Sequence, residues 1–177
     1  ENLLKSKKPM IILGESFLRS NSAEYLFYSL KNFLIKNNKK NDDWNPLNIL
    51  SVDASTVGNF DLDIINLKKD IIKDLNNNKF EIIYLLGQDN LKFNKKNEFI
   101  IYQGSHGDKG AEIADIILPG AAYTEQNGHF TNLEGKIQKS FKASYPPGYA
   151  KEDWLIINEL SELLKRKKLF EDKDKLV

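Results

Sequence analysis

Short apolar runs that stop at a glycine recur through the first half of this 177-residue chain, and they constrain its fold more than any other feature. Residues 10–13 form one such run before Gly14, and residues 80–86 form a longer one before Gly87. Residues 47–52 and 99–102 are largely apolar at comparable length. Near-continuous runs, as opposed to strictly alternating ones, are expected where a strand is buried on both faces, as in a parallel sheet covered by helices. The intervening stretches supply the helices. Asn21 offers an N-cap with Glu24 three residues on, and Ala23, Leu26, Phe27, Leu30 and Leu34 then share one helical face. Ile64, Leu67, Ile71, Ile72 and Leu75 give a second amphipathic pattern, closed by Asn76, Asn77 and Asn78. The alternation predicts an α/β fold, a parallel sheet with flanking helices.

After Tyr102 the texture changes. Seven of the ten glycines lie between positions 104 and 148, which predicts a glycine-rich, irregular region. Residues 115–118 make a short strand cut by Pro119. Residues 129–133 and 136–139 read as a hairpin turning at Glu134 and Gly135. Pro146-Pro147-Gly148 is an extended connector, and a last helix is expected from about residue 150. Trp154, Ile157, Leu160 and Leu164 should form its buried face. No internal repeat or second domain is visible, so residues 1–177 are expected to form a single domain. The first residue is Glu1 and not Met, which suggests a fragment or a processed product.

Composition excludes several functions. With no Cys there is no disulfide, no thiol nucleophile, and no Cys-ligated zinc or iron–sulfur cluster. A formal charge of +1 gives no broad electrostatic footprint for nucleic acid or an anionic membrane. The longest apolar runs are strand-length, far below the ~20 residues that span a bilayer. The 24 Lys against two Arg are a skew that function alone rarely produces, and an A+T-rich genome explains it more simply.

The stretch from Gln103 through Gly104, Ser105, His106, Gly107, Asp108 and Lys109 to Gly110 follows a predicted strand, where ligands of open parallel sheets gather. Its spacing matches neither dinucleotide-binding nor P-loop glycines, and Asp108 would repel a phosphate. A structural loop is favoured. His106 and Asp108 are too few for a metal site, and His129 is the only other imidazole. Thr124, Glu125 and the run Asn132-Leu133-Glu134-Gly135 read as turn chemistry. No serine elbow or nucleophile triad is present. Lys165-Arg166-Lys167-Lys168 closes the last helix, where positive charge complements the helix dipole. A docking patch for an acidic surface is the alternative there. The residues themselves therefore define an α/β domain without a catalytic constellation.

The order of motifs adds more. Ile101-Tyr102-Gln103-Gly104-Ser105-His106-Gly107-Asp108 is followed by Ala114-Asp115-Ile116-Ile117-Leu118-Pro119-Gly120-Ala121-Ala122-Tyr123-Thr124-Glu125. Then come Asn132-Leu133-Glu134-Gly135-Lys136-Ile137-Gln138 and, from Pro146-Pro147-Gly148, Glu152-Asp153-Trp154. Together with Lys8-Pro9-Met10-Ile11-Ile12-Leu13-Gly14 near the start, this series resembles the C-terminal, molybdopterin-oxidoreductase-like region of the large iron–sulfur subunits of NADH:ubiquinone oxidoreductase, respiratory complex I. The likeness covers most of the chain and is weakest over residues 20–63. Ser105 stands where those proteins often have a second His, and Lys136 and Lys151 where Arg is usual.

The resemblance implies a non-catalytic domain of the peripheral arm, with no catalytic, metal-binding or cofactor-binding residue of its own. Gly104, His106, Gly107, Asp108 and Gly110 would be a vestigial pterin loop. Iron–sulfur clusters would lie in the companion N-terminal part of the subunit, a split or partial subunit being implied. Partners would be that part and other peripheral-arm subunits, with no nucleic acid and no membrane span. The location would be the matrix side of the mitochondrial inner membrane, or the cytoplasmic face of a bacterial one. The rival is a fragment of an active molybdopterin-dependent enzyme such as a formate dehydrogenase. A free-standing nucleotide-binding module is disfavoured by the missing fingerprint.

Overall fold

Parallel strands organise the computed structural model, which describes residues 1–51, 54–64, 70–91, 93–168 and 170–172. The chain divides into two compact units: Glu1–Ile64 with Phe130–Gln138, and Ile65–His129 with Lys139–Val177.

In the first unit a short helix, α1 (Asn2–Lys5), leads to β1 (Ile11–Gly14), which pairs in parallel with β2 (Leu47–Leu50). Between them lie α2 (Glu15–Leu18) and α3 (Ala23–Lys36), and α4 (Thr56–Asp61) follows. Leu34 of α3 is fully buried, as the helical pattern predicted. Leu26 of the same predicted face is 43% exposed. The N-cap of α3 is Ser22, without a side-chain cap bond, so the expected capping role of Asn21 is not realised. Trp44 is fixed by Nε1 donating to the Pro9 carbonyl at 2.9 Å.

The second unit contains α5 (Ile71–Asn76), β3 (Ile82–Leu86), β4 (Phe99–Gly104), α6 (Lys109–Ile113), β5 (Ile116–Pro119) and α7 (Asp153–Leu163). Its three strands run parallel in the order β3-β4-β5, with Ile83 opposite Ile100, Leu85 opposite Tyr102 and Tyr102 opposite Ile117. Gly87, at φ +60°, ends β3, as the sequence pattern implied. Leu85, Ile100 and Tyr102 form the core of one sheet face, packed by Leu91, Phe93, Ala111 and Ile113. Lys95 and Asp115 close one end with a 2.7 Å ion pair. The other Asp115 oxygen accepts the Ile100 amide at 2.8 Å, and this bond, more than Lys95, holds the Asp115 carboxyl below its usual range.

The hairpin strands are β6 (Gly128–Thr131) and β7 (Ile137–Ser140). Asn132 Oδ1 accepts the amides of Glu134 and Lys136 at 3.0 and 2.9 Å, and Gly135 turns at φ +80°.

The fold is the expected α/β class, with differences in detail. Among the described residues the parallel strands pair as β1–β2 in the first unit and β3–β4–β5 in the second. Burial on both faces does not hold for β3, where Ile82 and Leu86 are 64% and 53% exposed. The last helix begins at Asp153, and its buried residues are Ile156 and Asn158. Trp154 is half-buried, donating to Glu152 Oε2 at 2.9 Å, and Leu164 is exposed. The reason is polar: Asn158 turns inward to hold the returning chain, donating to the Phe170 carbonyl at 2.7 Å and accepting its amide at 3.3 Å. Val52 of the predicted second strand and Leu67 of the predicted second helix lie outside the described residues.

Candidate functional site

The predicted loop begins where β4 ends, at the carboxyl edge of the three-stranded sheet. Side chains two apart on a strand share a face, so Tyr102 points toward the space over Gly104. Its ring is 1% exposed, and the glycines are shaped around it. A Cβ on Gly104 would collide with the Tyr102 hydroxyl, and one on Gly110 would sit 2.5 Å from the ring carbon Cε2. The aromatic ring therefore occupies the space that the missing side chains leave.

Asp89, in the loop after β3, completes the enclosure. Its Oδ2 accepts the Tyr102 hydroxyl at 2.9 Å and its Oδ1 accepts the Gly110 amide at 3.0 Å. The His106 carbonyl is a second acceptor for the same hydroxyl, at 3.2 Å. Burial pushes the Tyr102 phenol up to about 12, reinforced by the bond to Asp89 and the negative charges of Asp89 and Asp108. The phenol is therefore a fixed neutral donor at physiological pH.

The other predicted residues face outward. His106, Gly107 and Asp108 are exposed, and His106 Nδ1 lies 2.8 Å from Ser105 Oγ. Asp108 caps α6 through its carbonyl, which accepts the Glu112 amide at 3.0 Å, with no side-chain cap bond. His129 belongs to the hairpin, and no group of three His, Cys, Asp or Glu side chains that could hold a metal occurs among the described residues.

A second polar cluster was missed by sequence reasoning. Gln103, fully buried, accepts the Tyr84 hydroxyl and donates through Nε2 to Asp153 Oδ1 at 2.7 Å. Gln126 Nε2 reaches the other Asp153 oxygen at 3.5 Å. Burial, then the Asp153 charge, raises the Tyr84 phenol above its ordinary value. Gly120 fits beneath, its amide donating to the Gly104 carbonyl at 2.9 Å, and a Cβ there would lie 2.9 Å from Asp153 Oδ1. The cluster ties β3, β4 and the β5 exit to the first residue of α7. Lys151, one of the Arg-to-Lys departures, contacts both Glu159 carboxylate oxygens at 2.7 Å.

Such an arrangement can fasten loops. As a ligand site it is already filled: a carboxylate takes the Gly110 amide and an aromatic ring takes the space. Asp108 adds a second negative charge beside it. The loop as it stands does not fit the anionic phosphates of a pterin dinucleotide.

A parallel sheet with a glycine-rich loop at its carboxyl edge is the class of site that the family comparison then specifies. The profile of molybdopterin oxidoreductases matches residues 1–163, and the chain belongs to that family. It is 45% identical over 170 residues to the 75 kDa subunit of NADH-ubiquinone oxidoreductase from Reclinomonas americana, covering 94% of this chain and 24% of that protein. It is 42% identical over 175 residues to the mitochondrial 78 kDa subunit from Candida albicans, covering 97% and 24%. A bacterial relative, from the NADH-quinone oxidoreductase of Rickettsia bellii, is 46% identical over 167 residues, covering 93% and 24%. The chain thus spans about a quarter of the length of the curated relatives it matches. The resemblance drawn from the motif order is borne out.

Proposed function

We propose that this chain is a non-catalytic structural domain of the peripheral arm of NADH:ubiquinone oxidoreductase, the later part of a molybdopterin-oxidoreductase-like domain. It supports the cluster-bearing part of the large iron–sulfur subunit while electrons pass from NADH to ubiquinone. The observation that carries the reading is the closure of the loop by Tyr102 and Asp89. A residue inventory with no Cys and two His agrees, since iron–sulfur clusters are held chiefly by thiolates. The relatives' names supply the assembly, and their greater length supplies room for redox centres elsewhere in the subunit.

In this reading the chain's residues act by position. Tyr102 and Asp89 lock the β4–α6 loop to the β3 loop, and Gln103 and Asp153 lock α7 to the sheet. His106 and Asp108 neither carry electrons nor transfer protons. The partners are the cluster-bearing part of the same subunit and neighbouring peripheral-arm subunits. The location is peripheral to the mitochondrial inner membrane on its matrix side, or the equivalent bacterial face. No helix among the described residues is long and apolar enough to cross a membrane.

Metal content of the purified assembly tests the reading. The expected result is iron in the assembly, NADH oxidation, and molybdenum and tungsten far below one atom per chain. Stoichiometric molybdenum or tungsten, lost when Asp108 and His106 are replaced, would overturn it in favour of an active molybdopterin-dependent enzyme.

A further inference from the structure

We infer that the cationic turn after α7, Lys165-Arg166-Lys167-Lys168, is a docking site for a short acidic strip on a neighbouring subunit of the assembly. The inference rests on the proposed function and names the chemistry of one partner surface that it requires.

The turn is built, not frayed. Leu164 is the C-cap of α7, and Lys165 follows in the left-handed region at φ +55°. The Arg166 amide then donates to the Ser161 carbonyl at 2.9 Å, and Ser161 Oγ donates to the Lys167 carbonyl at 3.0 Å. Asn158 secures Phe170 two residues beyond the run, through bonds of 2.7 and 3.3 Å. A run of charge that only keeps a helix end wet needs no such anchors.

The residue at the turning point departs from the chain's own habit. After α3, α4 and α5 the left-handed position is taken by Asn38, Asp63 and Asn78, at φ +54°, +53° and +58°. Asn and Asp are the side-chain-bearing residues that tolerate this backbone best. Lys lacks that tolerance, and an A+T-rich genome supplies Asn as readily as Lys. The dipole of α7 accounts for one cation near its end and fades within a turn, so it does not account for four. Charge is therefore kept at this turn against local backbone preference, which is the mark of a functional position.

The chain supplies no counter-ions. All four side chains are exposed, and among the described residues none of them has an ion pair. The other unit, residues 1–64 with 130–138, carries nine Lys and Arg against nine Asp and Glu, so it offers no acidic excess. Nowhere in the chain do more than two acids adjoin, too few to match four cations in a row. The complement is thus an acidic strip from outside this chain. It is a strip and not an anionic lipid surface, because Glu162 precedes the run and Glu171 and Asp172 follow it. A uniformly negative surface is repelled at both flanks, whereas a strip of limited length meets the cations alone.

The test treats the purified assembly with a water-soluble carbodiimide, which joins a lysine amine to a carboxylate in contact with it, and maps the links by mass spectrometry. The expected result is a link from Lys165, Lys167 or Lys168 to a stretch of another polypeptide in which at least three acids cluster. Combining Lys165→Asn with Lys167→Gln and Lys168→Gln is expected to lower retention in the assembly by about tenfold at physiological salt, each exposed pair contributing little alone. Asn suits the left-handed backbone, so the turn itself survives, and Lys167→Arg with Lys168→Arg should retain the chain normally. Links only within this chain, links only to isolated carboxylates, no link, or undiminished retention of the triple variant overturns the inference. Binding of the full chain to vesicles of phosphatidylcholine and phosphatidylserine, abolished by the same three changes, overturns it in favour of a lipid surface. If those results accompany normal co-purification with NADH-oxidising activity, the docking turn alone fails. If the chain never co-purifies with that activity, the proposed function fails and the docking turn with it.

Discussion

Adding one methyl group at Gly110 tests how tightly the loop is filled. A Cβ there would lie 2.5 and 2.6 Å from two carbons of the Tyr102 ring and 2.9 Å from Asp89 Oδ1, where ordinary contacts begin at 3.4 Å. The ring would have to move by about 0.9 Å, the difference between 3.4 and 2.5 Å. It is not free to do so, being 1% exposed and held through its hydroxyl by Asp89. Overpacking a core costs about 1–3 kcal/mol, and a lost hydrogen bond to a charged acceptor about 1.5–3 kcal/mol, so Gly110→Ala should destabilise by about 3–5 kcal/mol. Gly110 does not have a positive φ, so the penalty is steric and depends on the ring. In a Tyr102→Leu background the same methyl should cost less than about 1 kcal/mol, because alanine is also the better helix former. The double-mutant cycle, read by denaturant unfolding with near-UV circular dichroism, should therefore give a coupling of about 2 kcal/mol or more. An equal cost for Gly110→Ala in both backgrounds would refute the idea that the glycine exists to seat Tyr102.

Three further outcomes follow from the polar groups. The folded protein raises the Tyr102 phenol from 10.0 to about 12, so its contribution is complete below pH 10 and disappears as pH rises toward 12; alkaline unfolding followed by tyrosinate absorbance should show this, and Tyr102→Phe should weaken the dependence. Asp115 has the opposite sign, its lowered carboxyl contributing stability above the carboxylate range that is lost on acidification, which Asp115→Asn should flatten in acid unfolding. Asp153→Ala removes the 2.7 Å carboxylate acceptor of the buried Gln103 amide and leaves it only the Asp153 carbonyl at 3.4 Å, an expected cost of about 1–3 kcal/mol, and hydrogen exchange should report early opening of α7.

The elements that local pattern could reveal were those whose partners are close in sequence. β3 follows from an apolar run stopped by glycine, β4 from a second apolar run, and the hairpin turn from Asn132 and Gly135 serving their own loop. The loop after β4 was read from sequence as a structural loop, but what its glycines serve was missed there: Gly104 and Gly110 make room for an aromatic ring of the same strand. A signal for that was present, because Tyr102 and Gly104 are two residues apart and so share a face. Asp89 was not legible: the carboxylate lies 13 residues before Tyr102, in a stretch without periodic pattern. The link from Gln103 to Asp153 spans 50 residues, and only the packed sheet brings them together. The face of α7 was misjudged because apolar spacing cannot show that a polar residue, Asn158, is turned inward to hold the backbone of Phe170.

The central claim, a scaffold and not a reaction site, is tested most directly by replacing His106 and Asp108 together with alanine in the native complex and measuring NADH:ubiquinone turnover per assembled complex. Both side chains are exposed and neither belongs to the Tyr102–Asp89 enclosure. Unchanged turnover is expected of a scaffold, with any loss confined to the amount of complex assembled. A fall of about 10²–10⁴-fold with assembly intact, the scale contributed by acid–base groups, would contradict it.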